Sequence, residues 1–363
     1  MNLKEQNILF FTRTMMPGGT ENVILQLCEI LKPHVNRIIV CSCGGDNVQK
    51  LTSMGIMHYT IPDIATRKTT QMLFILTKIR KIVYVENITI IHSHHRMAAL
   101  YAQFVGEKNT IRLANAHNIF HDKKILTKAA YRNTKVIAVG KQVKYNLVAF
   151  YGLDTAQVTV IHNAIKSFRG EIVVVKEIKK AKEEGFAVIG NIGRLSEQKG
   201  MEYYIKAAAD VYHQNHAVRF FIVGDGEDSD KLKALVNAKL PEGIMSFLGY
   251  RSDIQNVMSQ MDFVVLSSLW EGLPLTPIEA FSVGKTVVAT AVDGTPEIVI
   301  NEKNGLLVEA KNVKMLSKAI QRMINDVEFC KRCELASTDT YNEKFSFETF
   351  SKRYLEYYKE MRK

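Results

Sequence analysis

Two carboxylates, Glu271 and Glu279, are separated by seven residues in the segment EGLPLTPIE, directly after the apolar run FVVLSS. Carboxylates at the end of a strand accept hydrogen bonds from hydroxyl groups, at about 1.5–3 kcal/mol each. A sugar or a ribose is therefore the ligand class that this pair favours. Glu279 has a structural alternative, because Thr276, Pro277 and Glu279 fit a capping box with Thr276 at the N-cap.

A second group of charges lies in the segment GRLSEQKG, between the apolar run FAVIGNI and a helix predicted from Met201. Arg194 and Lys199 lie on either side of this helix entry. Cations beside the unpaired N–H groups of a helix start form an anion site, and a diphosphate has the size for two of them. The alternative is that both side chains are ordinary exposed surface charges.

Glycines also follow several predicted strands, where they let the backbone approach a ligand closely. These are Gly18 and Gly19 after the first strand, Gly193 before the cation pair, and Gly224 in FIVGDG. Neither a GxGxxG nor a GxxxxGK(S/T) motif is present, so the glycines alone do not indicate a dinucleotide site or a P-loop.

Eight of the ten histidines lie in the first half of the chain. His92, His94 and His95 occur in HSHH after one predicted strand, and His117 occurs in NAHN after another. The spacing of His92 and His94 suits a metal ion, but no acidic or cysteine partner is near them in the sequence. A structural role and a catalytic role are both open for these side chains.

The elements that must position these residues are indicated by short apolar runs that alternate with stretches at helical spacing. The predicted strands are Ile8–Phe11, Ile38–Cys43, Ile88–His92, Ile111–Asn115, Val136–Val139, Val158–His162, Phe186–Ile192, Arg219–Val223, Met245–Leu248, Phe263–Leu266, Thr286–Ala289 and Gly305–Val308. This pattern predicts an α/β fold with two doubly wound, Rossmann-like domains facing an interdomain cleft. Ligands bind outside the carboxyl ends of such strands, where the candidate residues stand.

The length of 363 residues suits two domains. The boundary is predicted between Asn163 and Gly185, where the charged segment EIVVVKEIKKAKEEG interrupts the alternation and indicates a linker with a solvated lead-in. We expect a first domain over 1–168, a second over 169–344, and a terminal helix over 345–363.

Composition narrows the class of protein. With 47% hydrophobic and 23% charged residues the chain is an ordinary globular one. No run approaches the roughly 18 apolar residues of a membrane span, and the start MNLKEQNILFF does not predict a secretion signal. Five cysteines, an odd number, point to a reducing cytoplasm, although Cys41, Cys43, Cys330 and Cys333 offer a less favoured zinc alternative.

The net charge of +11 is unevenly distributed along the chain. Residues 1–170 hold 22 basic and 9 acidic side chains, a net +13, whereas residues 171–363 hold 26 and 28, a net −2. The first domain is therefore expected to meet an anionic partner, for which nucleic acid, anionic lipid and phosphorylated metabolites are all candidates.

Taken together, these motifs resemble the retaining glycosyltransferases of family four, which have the GT-B fold. The segment EGLPLTPIEA is similar to the family's paired-glutamate signature. The other pieces occur in the family's order: GGTEN, HSHHRMAA, AHN, VIHNAI, GRLSEQKG, VGDGED, FLGYRSDI and VDGTPEIV. The segment FSFETFSKRYLEYY is similar to the family's last helix, which usually crosses back to the first domain.

The resemblance implies a role for each matching residue. Arg194 and Lys199 would hold the donor's diphosphate, Glu279 the ribose, and Glu271 the donor sugar. The donor-binding group also takes in Gly18, Gly19, Gly193, Gly224, Arg251 beside the base, Gly272, Leu273, Leu275 and Thr276. The catalytic group would comprise His117 with Glu271, Arg194 and Lys199, while His92, His94 and His95 would lie toward the acceptor.

The expected activity is transfer of a hexosyl or N-acetylhexosaminyl group from a UDP-sugar to an acceptor hydroxyl, with retention and without a metal or other cofactor. The acceptor is expected to be a lipid-linked or free glycan of a capsule, exopolysaccharide or lipopolysaccharide pathway. The basic first domain would attach peripherally to the inner face of the cytoplasmic membrane. The alternatives are an epimerase-like sugar-nucleotide enzyme of the same fold and, less favoured, a nucleic-acid-binding protein.

Overall fold

A computed structural model describes residues 2–107 and 109–361 of the chain. The chain divides into two compact units. The first extends to Asn163 and includes the residues from Phe350 onward, and the second comprises Ala164–Thr349. Each unit contains one parallel β-sheet with helices between successive strands, which confirms the predicted pair of doubly wound Rossmann-like domains.

The first sheet has seven parallel strands in the order β3-β2-β1-β4-β5-β6-β7. Their bounds are β1 Asn7–Phe11, β2 Arg37–Ser42, β3 Met57–Thr60, β4 Ile90–Ser93, β5 Ile111–Ala116, β6 Lys135–Ala138 and β7 Val158–Val160. The central strands are apolar along their whole length because helices cover both faces of the sheet; every residue of β1 is buried.

In the helices of the first unit, the buried apolar residues recur at the spacing that places them on one face of the helix, packed on the sheet. Their bounds are α1 Gly19–Leu31, α2 Val48–Ser53, α3 Thr69–Val85, α4 Arg96–Ala102, α5 Lys124–Ala130 and α6 Lys141–Tyr145. The last helix of the chain, α15 (Phe347–Glu360), belongs to this unit from Phe350 onward. It buries its aromatic side chains at positions 350, 354 and 358, which share one helix face.

The second sheet has six parallel strands in the order β10-β9-β8-β11-β12-β13. Their bounds are β8 Ala187–Ile192, β9 Val218–Val223, β10 Met245–Phe247, β11 Phe263–Leu266, β12 Val287–Thr290 and β13 Gly305–Val308. The helices are α7 Lys176–Glu183, α8 Met201–Gln214, α9 Ser229–Lys239, α10 Ile254–Ser259, α11 Leu275–Ser282, α12 Thr295–Ile298, α13 Val313–Asn325 and α14 Val327–Thr340.

In both sheets the strand order reverses beside the first strand, which lies between the second and the fourth. The reversal falls between β1 and β4 in the first unit and between β8 and β11 in the second. A crevice forms at such a point because the connections on its two sides leave in opposite directions. The carboxyl ends of these four strands are therefore the places to look for a ligand.

The structure departs from the sequence predictions at two elements. The edge strand β3 was not predicted, because MHYT has one apolar aliphatic residue and is only partly buried. The segment predicted as a solvated lead-in contains α7, which buries Ile178 and Ala181 and directs its charged residues to solvent.

Gly224 is the tightest backbone crossing in the second unit. It follows β9 with φ +139°, and a Cβ there would lie 1.9 Å from the carbonyl oxygen of Gly193 after β8. The two loops therefore meet through their backbones, and only glycine permits this.

We expect Gly224→Ala to lower the free energy of unfolding of the second unit by about 3 kcal/mol, from backbone strain and the clash together. The matched control is Gly243→Ala, since Gly243 also has positive φ (+80°) but nothing within 4 Å of its Cβ position. The control isolates the strain, at about 1 kcal/mol. Thermal and urea unfolding followed by circular dichroism would measure both; equal losses would contradict the proposed contact.

Candidate active site

Lys199 and Glu271 form an ion pair at the point of strand reversal in the second unit. Lys199 follows β8 and Glu271 follows β11, and the Lys199 Nζ lies 2.7 Å from the Glu271 Oε1. The side chains are only 17% and 7% exposed. Two charges so far removed from solvent are costly unless paired, so each fixes the other.

The loop that carries Lys199 is fastened to the loop after β11. The Ser267 hydroxyl donates to the Lys199 carbonyl oxygen (3.0 Å) and accepts from the Asn191 amide (2.9 Å). A Cβ on Gly200, at φ +55°, would lie 2.3 Å from the Ser267 carbonyl oxygen. The Leu269 N–H donates to the Gln198 carbonyl oxygen at 2.8 Å. These bonds set the Lys199 backbone before any ligand arrives.

Glu271 is held at three points. Its Oε1 accepts from Lys199 and from the Ser268 hydroxyl (2.6 Å), and its backbone N–H donates to the Asp293 carboxylate at 2.7 Å. Within the described part of the chain, the Oε2 atom makes no hydrogen bond. The carboxylate is thus oriented with one oxygen available to a ligand hydroxyl. Asp293 was not among the predicted site residues, because DGTPE indicates only a turn and a helix start.

Glu279 is not part of a capping box, and that alternative is wrong. Helix α11 begins at Leu275 with Pro274 at the N-cap, two residues earlier than the capping box requires. Pro274 already has the extended conformation of an N-cap residue, and Pro277 is tolerated in the first turn because its N–H would have no partner there. Thr276 is buried within the first turn and caps nothing.

The Glu279 carboxylate is free of the constraints that hold Glu271. It makes no hydrogen bond or ion pair with any residue in 2–107 or 109–361. Burial raises its pKa to about 7, and the positive charge of Lys199 partly offsets this rise. A half-buried carboxylate without a protein donor suits a ligand that brings hydroxyl groups.

Three other predicted donor-side residues lie on the loops that follow β8 and β10. Arg194 is exposed on the loop after β8, and its guanidinium has no partner among the described residues. Gly193 precedes it with φ +158°, and a Cβ there would touch the Lys199 side chain at 3.3 Å. Arg251, on the loop after β10, makes a two-pronged ion pair with Asp253, with distances of 2.8 and 2.7 Å.

The loop between β11 and α11 contains the remaining predicted residues. Gly272 packs so closely that a Cβ on Gly294 would lie 2.1 Å from its carbonyl oxygen. Leu273 is buried and Leu275 is the first residue of α11. Most of the predicted donor-side residues therefore lie after the carboxyl ends of β8 and β11. Arg251 follows β10 and is paired with Asp253.

A cavity of about 640 Å³ lies at the carboxyl ends of the strands in the first unit. Its walls include His94, His95, His117, Asn115, Arg13, Arg96, Thr20 and Glu21. Gly18, the N-cap of α1, and Gly19 come directly before the wall residues Thr20 and Glu21 in the chain. A Cβ on Gly18 would lie 2.6 Å from the Glu21 carboxylate. Three of the four predicted histidines therefore line one cavity.

His92, predicted toward the acceptor, does not line the cavity. It is fully buried, and its two ring nitrogens are engaged by Tyr358 (2.6 Å) and Asn115 (2.8 Å). The reason is the strand register: His92 lies inside β4, whereas His94 and His95 follow the end of the strand.

The three cavity histidines are held in the neutral form. His94 Nδ1 lies 3.2 Å from His117 Nε2. Burial lowers the pKa of His117 to about 4, and burial with the neighbouring histidines lowers that of His94 well below its usual value. His95 Nδ1 accepts the N–H of Met97 (3.1 Å), so the proton of its neutral ring is on Nε2.

Charged residues in the same walls were missed by the sequence analysis. Arg13 makes a two-pronged ion pair with Asp63 (2.9 and 2.7 Å), and Arg96 pairs with Asp122 at 2.9 Å. The two residues of each pair are 50 and 26 positions apart in sequence, so no local motif predicts the pairing. Within residues 2–107 and 109–361, no group of three or more His, Cys, Asp or Glu side chains is placed to hold a metal ion.

Two family models match the chain and together span most of it. Residues 17–167 match "Glycosyltransferase Family 4", and residues 175–339 match "Glycosyl transferases group 1". The chain belongs to the glycosyltransferases of the GT-B fold. The resemblance seen in the sequence motifs is thereby confirmed.

Relatives of this glycosyltransferase cover different shares of their own length. It is 26% identical over 340 residues to the UDP-Gal:alpha-D-GlcNAc-diphosphoundecaprenol alpha-1,3-galactosyltransferase of Escherichia coli, covering 86% of this chain and 87% of the relative. It is 28% identical over 240 residues to an uncharacterized glycosyltransferase of Methanocaldococcus jannaschii, covering 64% of this chain and 61% of that relative. The crystal structure of Anabaena HepE in complex with UDP is similar in fold, with a TM-score of 0.83, 21% identity, and 97% and 99% of the two chains covered.

We expect Glu279→Gln to stabilise the glycosyltransferase above pH 7 and to have little effect near pH 4. The folded-state pKa of about 7 lies above the ordinary value, so the penalty for ionising Glu279 grows as pH rises from about 4.5 to 7. Removing it should add about 3 kcal/mol at pH 8. Thermal unfolding of both forms between pH 5 and pH 8 would measure this; a midpoint difference that does not change with pH would contradict it.

Proposed function

We propose that this glycosyltransferase moves a hexosyl or N-acetylhexosaminyl group from a UDP-sugar to an acceptor hydroxyl with retention at the anomeric carbon. The observation that carries the proposal is the ion pair between Lys199 and Glu271 at the strand reversal, with the unpaired Arg194 on the same loop. Two cations and an oriented carboxylate at one sheet edge match the phosphate and hydroxyl groups of a nucleotide sugar.

The donor's charges meet complementary groups. The Lys199 ammonium has three N–H donors and uses one in its hydrogen bond to Glu271, which leaves two for phosphate oxygens. Arg194 is free to supply a second cation. When the bond between the anomeric carbon and the phosphate oxygen breaks, its electrons stay on the diphosphate, and these cations stabilise that charge. This is why no metal or other cofactor is required by the proposal.

The two glutamates would hold the hydroxyl groups of the donor. Glu271 would accept a sugar hydroxyl at Oε2, since Oε1 already accepts from Lys199 and Ser268. Glu279 would accept from the ribose, with Arg251 near the base. The acceptor oxygen then bonds to the anomeric carbon, and its proton passes to the departing phosphate. His117 would orient the acceptor within the first-unit cavity.

The names of the relatives support the proposed substrate classes. HepE was crystallised with UDP and with UDP-glucose. The galactosyltransferase of Escherichia coli is named for UDP-Gal and for a GlcNAc-diphosphoundecaprenol acceptor. For this chain we propose a UDP-hexose donor and a lipid-linked glycan acceptor in the first-unit cavity, as in capsule, exopolysaccharide or lipopolysaccharide synthesis.

We expect Lys199→Ala and Glu271→Gln each to lower kcat/KM for the UDP-sugar by about 10²–10³-fold, the range for loss of one preorganised donor or acceptor at the reacting charges. A panel of UDP-sugars would first be screened by thermal shift and by release of UDP. The active donor would then be used for steady-state kinetics of each variant.

The matched control is Lys285→Ala. Lys285 pairs with Glu334 at 3.6 Å, and its side chain is about as buried as that of Lys199. It precedes β12, however, and so lies at the amino ends of the strands. It should lower stability and leave kcat/KM unchanged. Unchanged turnover of either site variant would contradict the site, and an isomerised donor without transfer would favour the epimerase-like alternative.

The membrane part of the proposal is supported by α3. The chain has no Asp or Glu between Asp63 and Glu86, while five cations fall in this stretch. Four large apolar side chains of α3 are more than half exposed: Leu73, Phe74, Tyr84 and Val85. A helix that is cationic and apolar on its solvent side suits an anionic lipid surface. On these cations and exposed apolar side chains we propose peripheral attachment at the inner face of the cytoplasmic membrane. No described helix is long and apolar enough to span a bilayer.

We expect Lys68→Ala/Lys81→Ala to weaken binding to vesicles of phosphatidylcholine and phosphatidylglycerol roughly thirtyfold at low salt, at about 1 kcal/mol per cation. The control is Lys314→Ala/Lys318→Ala, an exposed pair on α13 of the second unit. Flotation at low and high salt measures the binding. If the unmodified protein stays unbound at low salt, the membrane proposal is wrong, whereas the transfer proposal is unaffected.

A further inference from the structure

Four buried polar side chains form a hydrogen-bonded chain beneath the cavity of the first unit. The Tyr358 hydroxyl lies 2.6 Å from His92 Nδ1, His92 Nε2 lies 2.8 Å from Asn115 Oδ1, and the Asn115 amide donates to the Tyr354 hydroxyl at 2.7 Å. None of the four is more than 2% exposed. Two of them lie on α15, one on β4 and one on β5.

Burial keeps the His92 ring neutral, because it lowers the pKa of His92 to about 3. Asn115 Oδ1 only accepts, so Nε2 carries the single ring proton and Nδ1 accepts from the Tyr358 hydroxyl. The four side chains are bound to one another in series, so their orientations are coupled.

The hydrogen-bonded chain reaches the cavity wall at two places. Asn115 itself lines the cavity. His92 packs against His94 with 4.5 Å between ring centroids, and His94 is hydrogen-bonded to His117. His94 and His117 also line the cavity. The orientation of three wall residues is thus tied to the two tyrosine hydroxyls of α15.

Packing alone does not account for these hydroxyls. Phe350 lies on the same face of α15 and packs against Tyr354, with 4.6 Å between ring centroids and the rings tilted by 54°. It is buried and its side chain has no polar atom. Phenylalanine would bury equal apolar area at 354 and 358 without the cost of desolvating a hydroxyl. Buried polar networks that are fully satisfied specify one arrangement rather than adding much stability.

We propose that Tyr354 and Tyr358 are positioning residues for the acceptor cavity, holding Asn115 directly and the His94–His117 pair through His92. The inference rests on the proposed function, since it takes the cavity as the acceptor site. The C-terminal helix is then a working part of that site, although it contributes no residue to the cavity wall.

The test uses Tyr354→Phe and Tyr358→Phe in the full chain, with Tyr357→Phe as the matched control. Tyr357 lies on the same helix but outside the hydrogen-bonded chain and is only partly buried. The first measurement is independent of substrate: ring nitrogen NMR of histidine-labelled protein. We expect Tyr358→Phe to shift the signals of His92, His94 and His117, and Tyr357→Phe to leave them in place.

The second measurement is transfer from the active UDP-sugar to a GlcNAc-diphosphate carrying a short alkyl chain. We expect the acceptor KM to rise about tenfold in Tyr354→Phe and Tyr358→Phe, with the donor KM and UDP release into water unchanged. Unfolding midpoints should fall somewhat further than in the control, because Asn115 or His92 loses a buried hydrogen-bond partner. The rise in acceptor KM should not scale with that fall.

Three Tyr→Phe variants with the same spectra and the same acceptor KM would overturn the inference. So would losses that follow only the unfolding midpoint, because a purely structural role predicts that. If the unmodified enzyme transfers to no acceptor of this class, the proposed function fails on that arm alone, and the histidine spectra still decide whether α15 orients the cavity wall.

Discussion

The ion pair between Lys199 and Glu271 is the interaction on which the donor-side geometry depends. It joins the loops that follow β8 and β11, at the point where the strand order reverses. Both charges are largely removed from water, so neither side chain can turn away without leaving the other unpaired. A ligand that brings negative charge to Lys199 and hydroxyl groups to Glu271 has little water to displace, because both side chains are already largely shielded from solvent. The pair is thus an organised site before the ligand binds.

Backbone contacts make this arrangement rigid. Gly200 and Gly224 each occupy positions where a Cβ would overlap a carbonyl oxygen of a neighbouring loop. Because the loops touch through their main chains, they cannot shift independently. The backbone positions of the charged residues on these loops are therefore fixed. The first unit achieves the same result differently, with buried side-chain hydrogen bonds around His92 and Asn115. In both units polar groups lie at strand ends, and contacts with the surrounding protein hold them in place.

The sequence predicted the strands well because central parallel strands are continuous apolar runs, such as FVVL of β11. It missed β3, an edge strand with a mixed pattern. The charge pair of Lys199 and Glu271 was predicted as two neighbouring roles but not as one bond, since 72 residues separate them. His92 was grouped with His94 because they are two residues apart, although the end of β4 falls between their environments. Local patterns identify elements, whereas partners distant in sequence require the fold.

The first unit is completed by residues from the far end of the chain, since α15 from Phe350 onward packs within it. During synthesis, the residues up to Asn163 leave the ribosome long before Tyr354 and Tyr358 exist. Until then His92 and Asn115 lack the tyrosine partners that bind their polar atoms in the folded unit. The second unit, Ala164–Thr349, is one continuous segment, so it needs no residue from outside that segment. We therefore expect the first unit to be completed only after α15 has been synthesised, although its strands precede those of the second unit.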